Sequence, residues 1–298
     1  MRVLDRAIAG ALPFIPRPIV HQVAKRYIAG ETTADAIRVA SQLNEKGMLG
    51  TMDILGEDVC NLEQARRAVG RYEQLLDEIH KKGIQSGVSI KLTQFGLKAD
   101  KAACYELTAS VVRRARDLGN FVRIDMEDSS CTSDTLDIYR KLRQDYTNLG
   151  VVIQAYLRRT ADDVERLADL SPNYRLCKGV YVESPGLAYP DMPSINRNYV
   201  RLLERLFRAG SRVGIATHDA LMVREAYRLI RELNVPRTAY EFQMLLGVRD
   251  DLRDKIVAAG HPLRVYIPFG PDWYAYSVRR LRENPQLAGY VLKAFFTR

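Results

Sequence analysis

The sequence predicts one α/β unit, a (β/α)8 barrel of the TIM type, preceded by an N-terminal helical segment. Three observations predict it. From residue 47 onward, short apolar stretches recur along the chain, and each is followed by a segment of helical periodicity. The stretches are continuously apolar instead of alternating, as parallel strands covered on both faces are. No proline- or glycine-rich linker divides the chain. Eight strand–helix units over roughly 240 residues therefore close one barrel more readily than they split into two domains.

Residues 1–45 read as the helical segment and 46–298 as the barrel. In Pro18–Ala29 the apolar residues Ile19, Val20, Val23, Ala24, Tyr27 and Ile28 form one helical stripe, with Pro18 suited to a first turn. Arg2, Arg6, Arg17, Lys25 and Arg26 outnumber Asp5 here. Such a basic amphipathic helix either packs on the main domain or lies on a membrane surface. Strands are expected at Leu49–Ile54, Ser89–Thr93, Val122–Met126, Val151–Tyr156, Arg175–Val180, Arg212–Ala216, Thr238–Gln243 and Arg264–Ile267. Helices are expected between them, among them Leu62–Ile79, Ala102–Leu118 and Tyr199–Ala209.

Composition narrows the class. With 298 residues, 47% hydrophobic and 27% charged, the chain is globular and long enough to bury a core without staples. Its net charge of +9 is spread along the chain, which reads as a solvated basic surface and not as a nucleic-acid footprint. Cys60, Cys104, Cys131 and Cys177 form no CxxC pair, the pattern of free thiols in a reducing compartment. The longest uncharged stretch, Tyr146–Leu157, is shorter than the ~20 residues of a membrane helix. A cytoplasmic protein is expected.

Active sites of such barrels lie at the C-terminal ends of the strands. Those ends are crowded with ionisable groups, which are costly to desolvate unless they pair or bind a ligand. The second strand ends at Lys91; the third carries Arg123, Asp125, Met126 and Glu127; the fourth ends at Gln154. Arg175, Lys178, Gly179, Val180 and Tyr181 follow on the fifth, Thr217 and His218 on the sixth, Glu241 on the seventh and Tyr266 on the eighth. By alternation Arg123, Asp125 and Glu127 share a face, as do Arg175 and Tyr181. Arg123 and Glu127 are expected to serve as a buried ion pair. Near the end of the chain, Tyr276 precedes Arg279 and Arg280 at helical spacing, and paired guanidinium groups match the fork of a carboxylate. The pattern points to an enzyme with a carboxylate-bearing ligand and is silent about the reaction. No GxGxxG, phosphate-loop lysine, HExxH or GxSxG motif is present, so any nucleotide cofactor is held by the barrel mouth. The histidines are scattered and offer no zinc set.

The segments RIDMED (123–128), QAYLRR (154–159), RLCKGVYVES (175–184), ATHD (216–219), YEFQML (240–245) and YAYSVRRL (274–281) occur in this order. In that combination the chain resembles bacterial proline dehydrogenase from about Gly47 to Asn284, and its length suits the monofunctional form. The resemblance implies a distorted barrel holding FAD. It also implies oxidation of L-proline to 1-pyrroline-5-carboxylate by hydride transfer, with electrons passed to a membrane quinone at the inner face of the membrane. By motif, Lys91, Arg279 and Arg280 bind the proline carboxylate, and Asp125, Tyr181, Leu245, Tyr266 and Tyr276 surround the ring. Met126, Gln154, Arg175, Lys178, Gly179, Val180, Thr217, His218 and Glu241 lie on the flavin side. Arg175 also pairs with Glu57 to close the site. Asp219 departs from an asparagine common after the ATH motif, and Cys177 and Val180 are milder departures. Two other readings are another FAD barrel of the methylenetetrahydrofolate reductase kind, against which the Arg279–Arg280 clamp argues, and a basic barrel without enzymatic activity.

Overall fold

The computed structural model describes residues 24–274 and residue 277. Tyr276, Arg279 and Arg280, and most of the basic stripe before residue 24, lie outside the described residues. Within them runs a regular alternation: α1 (Thr33–Glu45), β1 (Leu49–Ile54), α2 (Leu62–Lys81), β2 (Ser86–Ile90), α3 (Lys101–Asp117), β3 (Val122–Ile124), α4 (Ser129–Asp145), β4 (Leu149–Gln154), α5 (Thr160–Arg166), β5 (Asn173–Cys177), α6 (Met192–Arg208), β6 (Arg212–Ala216), α7 (Ala220–Glu232), β7 (Tyr240–Leu245), α8 (Asp250–Ala258) and β8 (Leu263–Phe269). The strands pair in parallel in sequence order, and β8 pairs with β1 to close the barrel.

Local sequence explains where the helices begin. Asn61, Asp100, Asp128, Asp191 and Asp219 each cap a helix, their side-chain oxygens accepting backbone N–H groups of the first turn. Thr32 and Asp35 form a reciprocal capping box at the start of α1. The longer helices lay an apolar face on the sheet; in α2 that face is Ala65, Ala68, Val69, Tyr72, Leu75, Leu76 and Ile79. Each large apolar side chain so buried contributes about 1.5–3 kcal/mol. Ala36, Ala40 and Leu43 of α1 join the same core, and Gln85 N–H donates to Asn44 Oδ1 at 2.8 Å, tying the end of α1 to β2. Ala24 and Ile28 pack against Leu55 and Trp273 beside the end of β1.

β1 and β6 have the bounds that the sequence predicts; other strand ends shift. The second strand is expected to reach Thr93 but stops at Ile90, because Thr93–Phe95 winds into a 3-10 turn. The fifth ends at Cys177 instead of Val180, because the next residues turn at Gly179, whose φ is 106°. The third is shortened to Ile124, although Asp125 N–H still donates to Ile90 O. α6 starts at Met192, ahead of the expected Tyr199, since Asp191 supplies the cap and Pro193 suits the first turn.

Candidate active site

The C-terminal ends of the strands surround a cavity of about 650 Å³. Asp125, at the end of β3, occupies its centre and accepts three hydrogen bonds. Arg175 Nη1 donates to Oδ1 at 2.6 Å, Ser89 Oγ donates to the same oxygen at 2.7 Å, and the Tyr266 hydroxyl donates to Oδ2 at 2.8 Å. The Arg175 guanidinium also lies over the Tyr266 ring, 5.3 Å from its centroid. Residues from β2, β5 and β8 thus fix the carboxylate that follows β3 from three directions.

Arg175 is held from below as well. Its Nε donates to Gln243 Oε1, and Gln243 Nε2 donates to Glu241 Oε1 at 2.6 Å. Arg264 then meets Glu241 with Nε at 2.6 Å and Nη2 at 3.1 Å. Only one orientation of the Gln243 amide suits this chain, because guanidinium only donates and carboxylate only accepts. Space for Gln243 comes from Gly214 on the neighbouring strand, where a Cβ would lie 2.4 Å from the Gln243 amide nitrogen. Burial works against the Glu241 charge, but Arg264 and Gln243 outweigh it and hold the carboxyl below its ordinary range.

Around this centre the cavity collects Lys91, Met126, Gln154, Lys178, Gly179, Val180, Tyr181, Thr217, His218 and Leu245, together with Asp125, Arg175 and Tyr266. These are most of the residues that the sequence singles out. Lys91 is buried, and its Nζ donates to both oxygens of Asp53, at 2.8 and 2.9 Å. Desolvation opposes its charge, yet Asp53 and Asp125 raise its pKa above the ordinary lysine value. Lys178 Nζ lies 2.7 Å from Asp219 Oδ2, bridging the end of β5 to the start of α7. Burial opposes ionisation of Asp219, and the bonds from Lys178 and from Leu221 N–H prevail, so its carboxyl sits below its ordinary value. His218 Nε2 accepts the Leu245 N–H at 2.8 Å, which puts the proton of the neutral ring on Nδ1. A Cβ at Gly179 would fall 2.1 Å from the Tyr156 ring, so the chain passes there only as glycine.

Other expectations fare differently. Glu241 is not at the mouth: it lies deeper in the barrel, two residues below Gln243 on β7, bound to Arg264. Glu57 is exposed in the loop after β1, whereas Arg175 donates to Asp125 and Gln243, as described above, and with Nη1 to Ser89 Oγ at 3.2 Å. The expected Arg123–Glu127 ion pair does not form. Arg123 Nη1 and Nη2 donate to Asn173 O at 2.6 Å and Asn173 Oδ1 at 2.7 Å, while Glu127 accepts from the Thr93 N–H and hydroxyl. They face opposite ends: Arg123 lines the barrel floor, and Glu127 sits in the loop above β3. Sequence reasoning misses Asp53, Ser89 and Gln243, whose inward positions on their strands are the signal that would find them. It also misses Glu183, which accepts from the N–H and hydroxyl of Ser129 at 2.7 and 2.6 Å and docks the loop after β5 onto the start of α4.

The family profile described as "Proline dehydrogenase" matches residues 36–291. The chain belongs to the proline dehydrogenase family. It is 35% identical to proline dehydrogenase 1 of Bacillus subtilis over 270 residues, which cover 91% of this chain and 89% of that one. It is also 35% identical to the proline dehydrogenase of Deinococcus radiodurans over 284 residues, covering 94% and 92%. Such relatives make this an enzyme of the proline dehydrogenase kind. Among solved structures, proline utilization A (PutA) from Bdellovibrio bacteriovorus, inactivated by N-propargylglycine, superposes with a TM-score of 0.82 at 27% identity. That match takes in 87% of this chain but 32% of the PutA chain, so the family's barrel here corresponds to about a third of the longer protein.

Proposed function

We propose that the barrel mouth binds FAD and L-proline and that the enzyme passes electrons on to a membrane quinone. The observation that carries this reading is the cavity itself: it gathers residues of five separate sequence motifs around Asp125 and Arg175. The lining suits the cofactor. Gly179 leaves bare backbone where a side chain would collide with Tyr156, and Val180 and Met192 keep apolar surface exposed at the rim, fit to be covered by a flat ring. Lys178 and Arg175 supply positive charge, and Gln154, whose Nε2 donates to Glu127 O, leaves its Oε1 as an acceptor. When bound, FAD would supply the two-electron acceptor for this oxidation, in which L-proline gives up a hydride from the ring CH2 next to nitrogen and a proton from the nitrogen to solvent, forming the C=N bond of 1-pyrroline-5-carboxylate.

The protein's part is orientation and electrostatics. Arg279 and Arg280 clamp the proline carboxylate. Lys91 joins them in that role, but its charge is shared by Asp53, so it adds less than a lone lysine. Asp125, Tyr181, Leu245, Tyr266 and Tyr276 surround the ring, and Glu57 pairs with Arg175 when the site closes. Residues before the barrel make a peripheral contact with the membrane; among the described residues no helix is long and apolar enough to cross it.

The deciding experiment is a visible spectrum of the purified protein before and after anaerobic L-proline. A flavin spectrum bleached by proline and not by buffer supports the reading. A flavin spectrum indifferent to proline overturns the substrate, and protein that stays colourless after incubation with FAD overturns the cofactor.

A further inference from the structure

The barrel has a second cavity, at the opposite end from the mouth. It measures about 120 Å³ and is lined by Arg123, Arg175, Arg212 and Arg264, with Glu241 as its one carboxylate. Two of the four cations are accounted for: Arg264 is bound to Glu241, and Arg175 is bound to Asp125. The other two are not. Arg212 begins β6 with its side chain exposed. Arg123 is 4% exposed, and among the described residues it is the buried cation that contacts no carboxylate. Its Nη atoms reach carbonyl oxygens only, and its Nε has no acceptor at all. Glu241 attracts Arg123 across the cavity but is bonded to Arg264, so Arg123 has no carboxylate of its own. A buried guanidinium in that position is costly, and an orphaned N–H adds to that cost.

We infer that the floor cavity between Arg123 and Arg212 is a binding site for a small oxyanion of the phosphate or sulfate kind. Four guanidinium groups against Glu241 and the Asp125 bound to Arg175 leave two positive charges, which match the two charges of such an ion, and the N–H forks of Arg123 and Arg212 suit its oxygens. The space equals that of about four water molecules in the liquid, at ~30 Å³ each, enough for a tetrahedral ion and too little for an organic phosphate. Arg212 at the outer edge admits the ion from solvent, and Arg123 holds it from within. The inference stands apart from whatever occupies the mouth.

Thermal melting of the purified full-length protein in phosphate, against chloride at equal ionic strength, tests it. Wild type gains about 2 °C or more in Tm from phosphate at ten times its Kd, and Arg212→Gln loses most of that gain. No gain in wild type overturns the site. So does an equal gain in both proteins, which is the general effect of an excluded salt. Crystals grown with selenate supply a second measurement, independent of the variant's stability. An anomalous peak beside Arg123 is expected; a map with peaks only at the mouth or the outer surface overturns the inference.

Discussion

Arg175 Nη1 stands 2.6 Å from Asp125 Oδ1, and each side chain is nearly buried by the barrel wall. Neither is stable in that place alone, since removing one partner of a buried pair leaves an unpaired charge, at about 3–5 kcal/mol. The pair is therefore both the centre of the cavity and a requirement for its shape.

Asp125→Asn is expected to lower the unfolding free energy by about 3 kcal/mol and kcat/KM on the order of a hundredfold. Tyr266→Phe removes one hydrogen bond to the same carboxylate, about 1.5 kcal/mol, and should reduce kcat/KM roughly tenfold. Steady-state kinetics and denaturant melts on the two variants establish the order. Equal losses would mean that the Arg175 ion pair contributes nothing beyond the hydroxyl.

Gln243→Leu unhooks Arg175 from Glu241 without touching the pocket's charges. We expect kcat to fall roughly tenfold with KM for proline changed less, because Arg175 keeps its bond to Asp125 but loses its lateral restraint. A change confined to Tm, with wild-type kcat, would make Gln243 purely structural.

Gly179→Ala forces a Cβ to within 2.1 Å of a carbon of the buried Tyr156 ring, at a φ of 106°. The loop after β5 must move, and with it Lys178 and Val180. The expected result is protein that folds with sharply reduced flavin content, read from visible absorbance per chain. Wild-type flavin content would show that the loop tolerates the side chain.

Acid stability should respond to Glu241. Its folded pKa lies below its ordinary 4.5 because Arg264 and Gln243 outweigh the cost of burial. The group therefore adds stability above the unfolded pKa and loses it as pH falls through the folded one. Burial raises Glu127 above 4.5, so that carboxyl acts in the opposite sense. Urea midpoints between about pH 5 and pH 3 should fall less steeply for Glu241→Gln than for wild type. Parallel curves would refute the assignment.

Thiol chemistry offers a check on the packing. Cys60 is exposed, whereas burial pushes Cys104 up to about 12 and Cys177 up to about 11, and also raises Cys131. Brief alkylation of native protein near neutral pH should label Cys60 and spare the other three, as peptide mass spectrometry would show. Rapid labelling of Cys177 would mean that the mouth opens far more than this arrangement implies.

Much of the architecture was readable in the chain because parallel strands buried on both faces leave continuous apolar runs that helices then interrupt. The strand ends were less so. Lys178–Val180 looks like more of β5, and only the backbone turn at Gly179 shows otherwise. Most charged mouth residues were legible from the strand ends and the motifs, Asp53 being the exception. Ser89 and Gln243 were not, although Gln243 lies within YEFQML: an inward strand position marks a neutral side chain as facing the barrel, but its partner, Arg175, is set only when the barrel closes. Arg123 and Glu127 misled for a related reason. Alternation puts both on one face of an ideal strand, but β3 ends at Ile124, and the Asn173 carbonyl lies nearer to Arg123 than any carboxylate.

Gly214 exerts its influence at a distance. Its missing side chain makes room for Gln243, which joins the Glu241–Arg264 pair on the floor to Arg175 at the mouth. Durability and turnover thus share a single set of residues. Anyone evolving this enzyme toward heat tolerance by filling the barrel interior, beginning with Gly214→Ala, would be altering its reactivity in the same step.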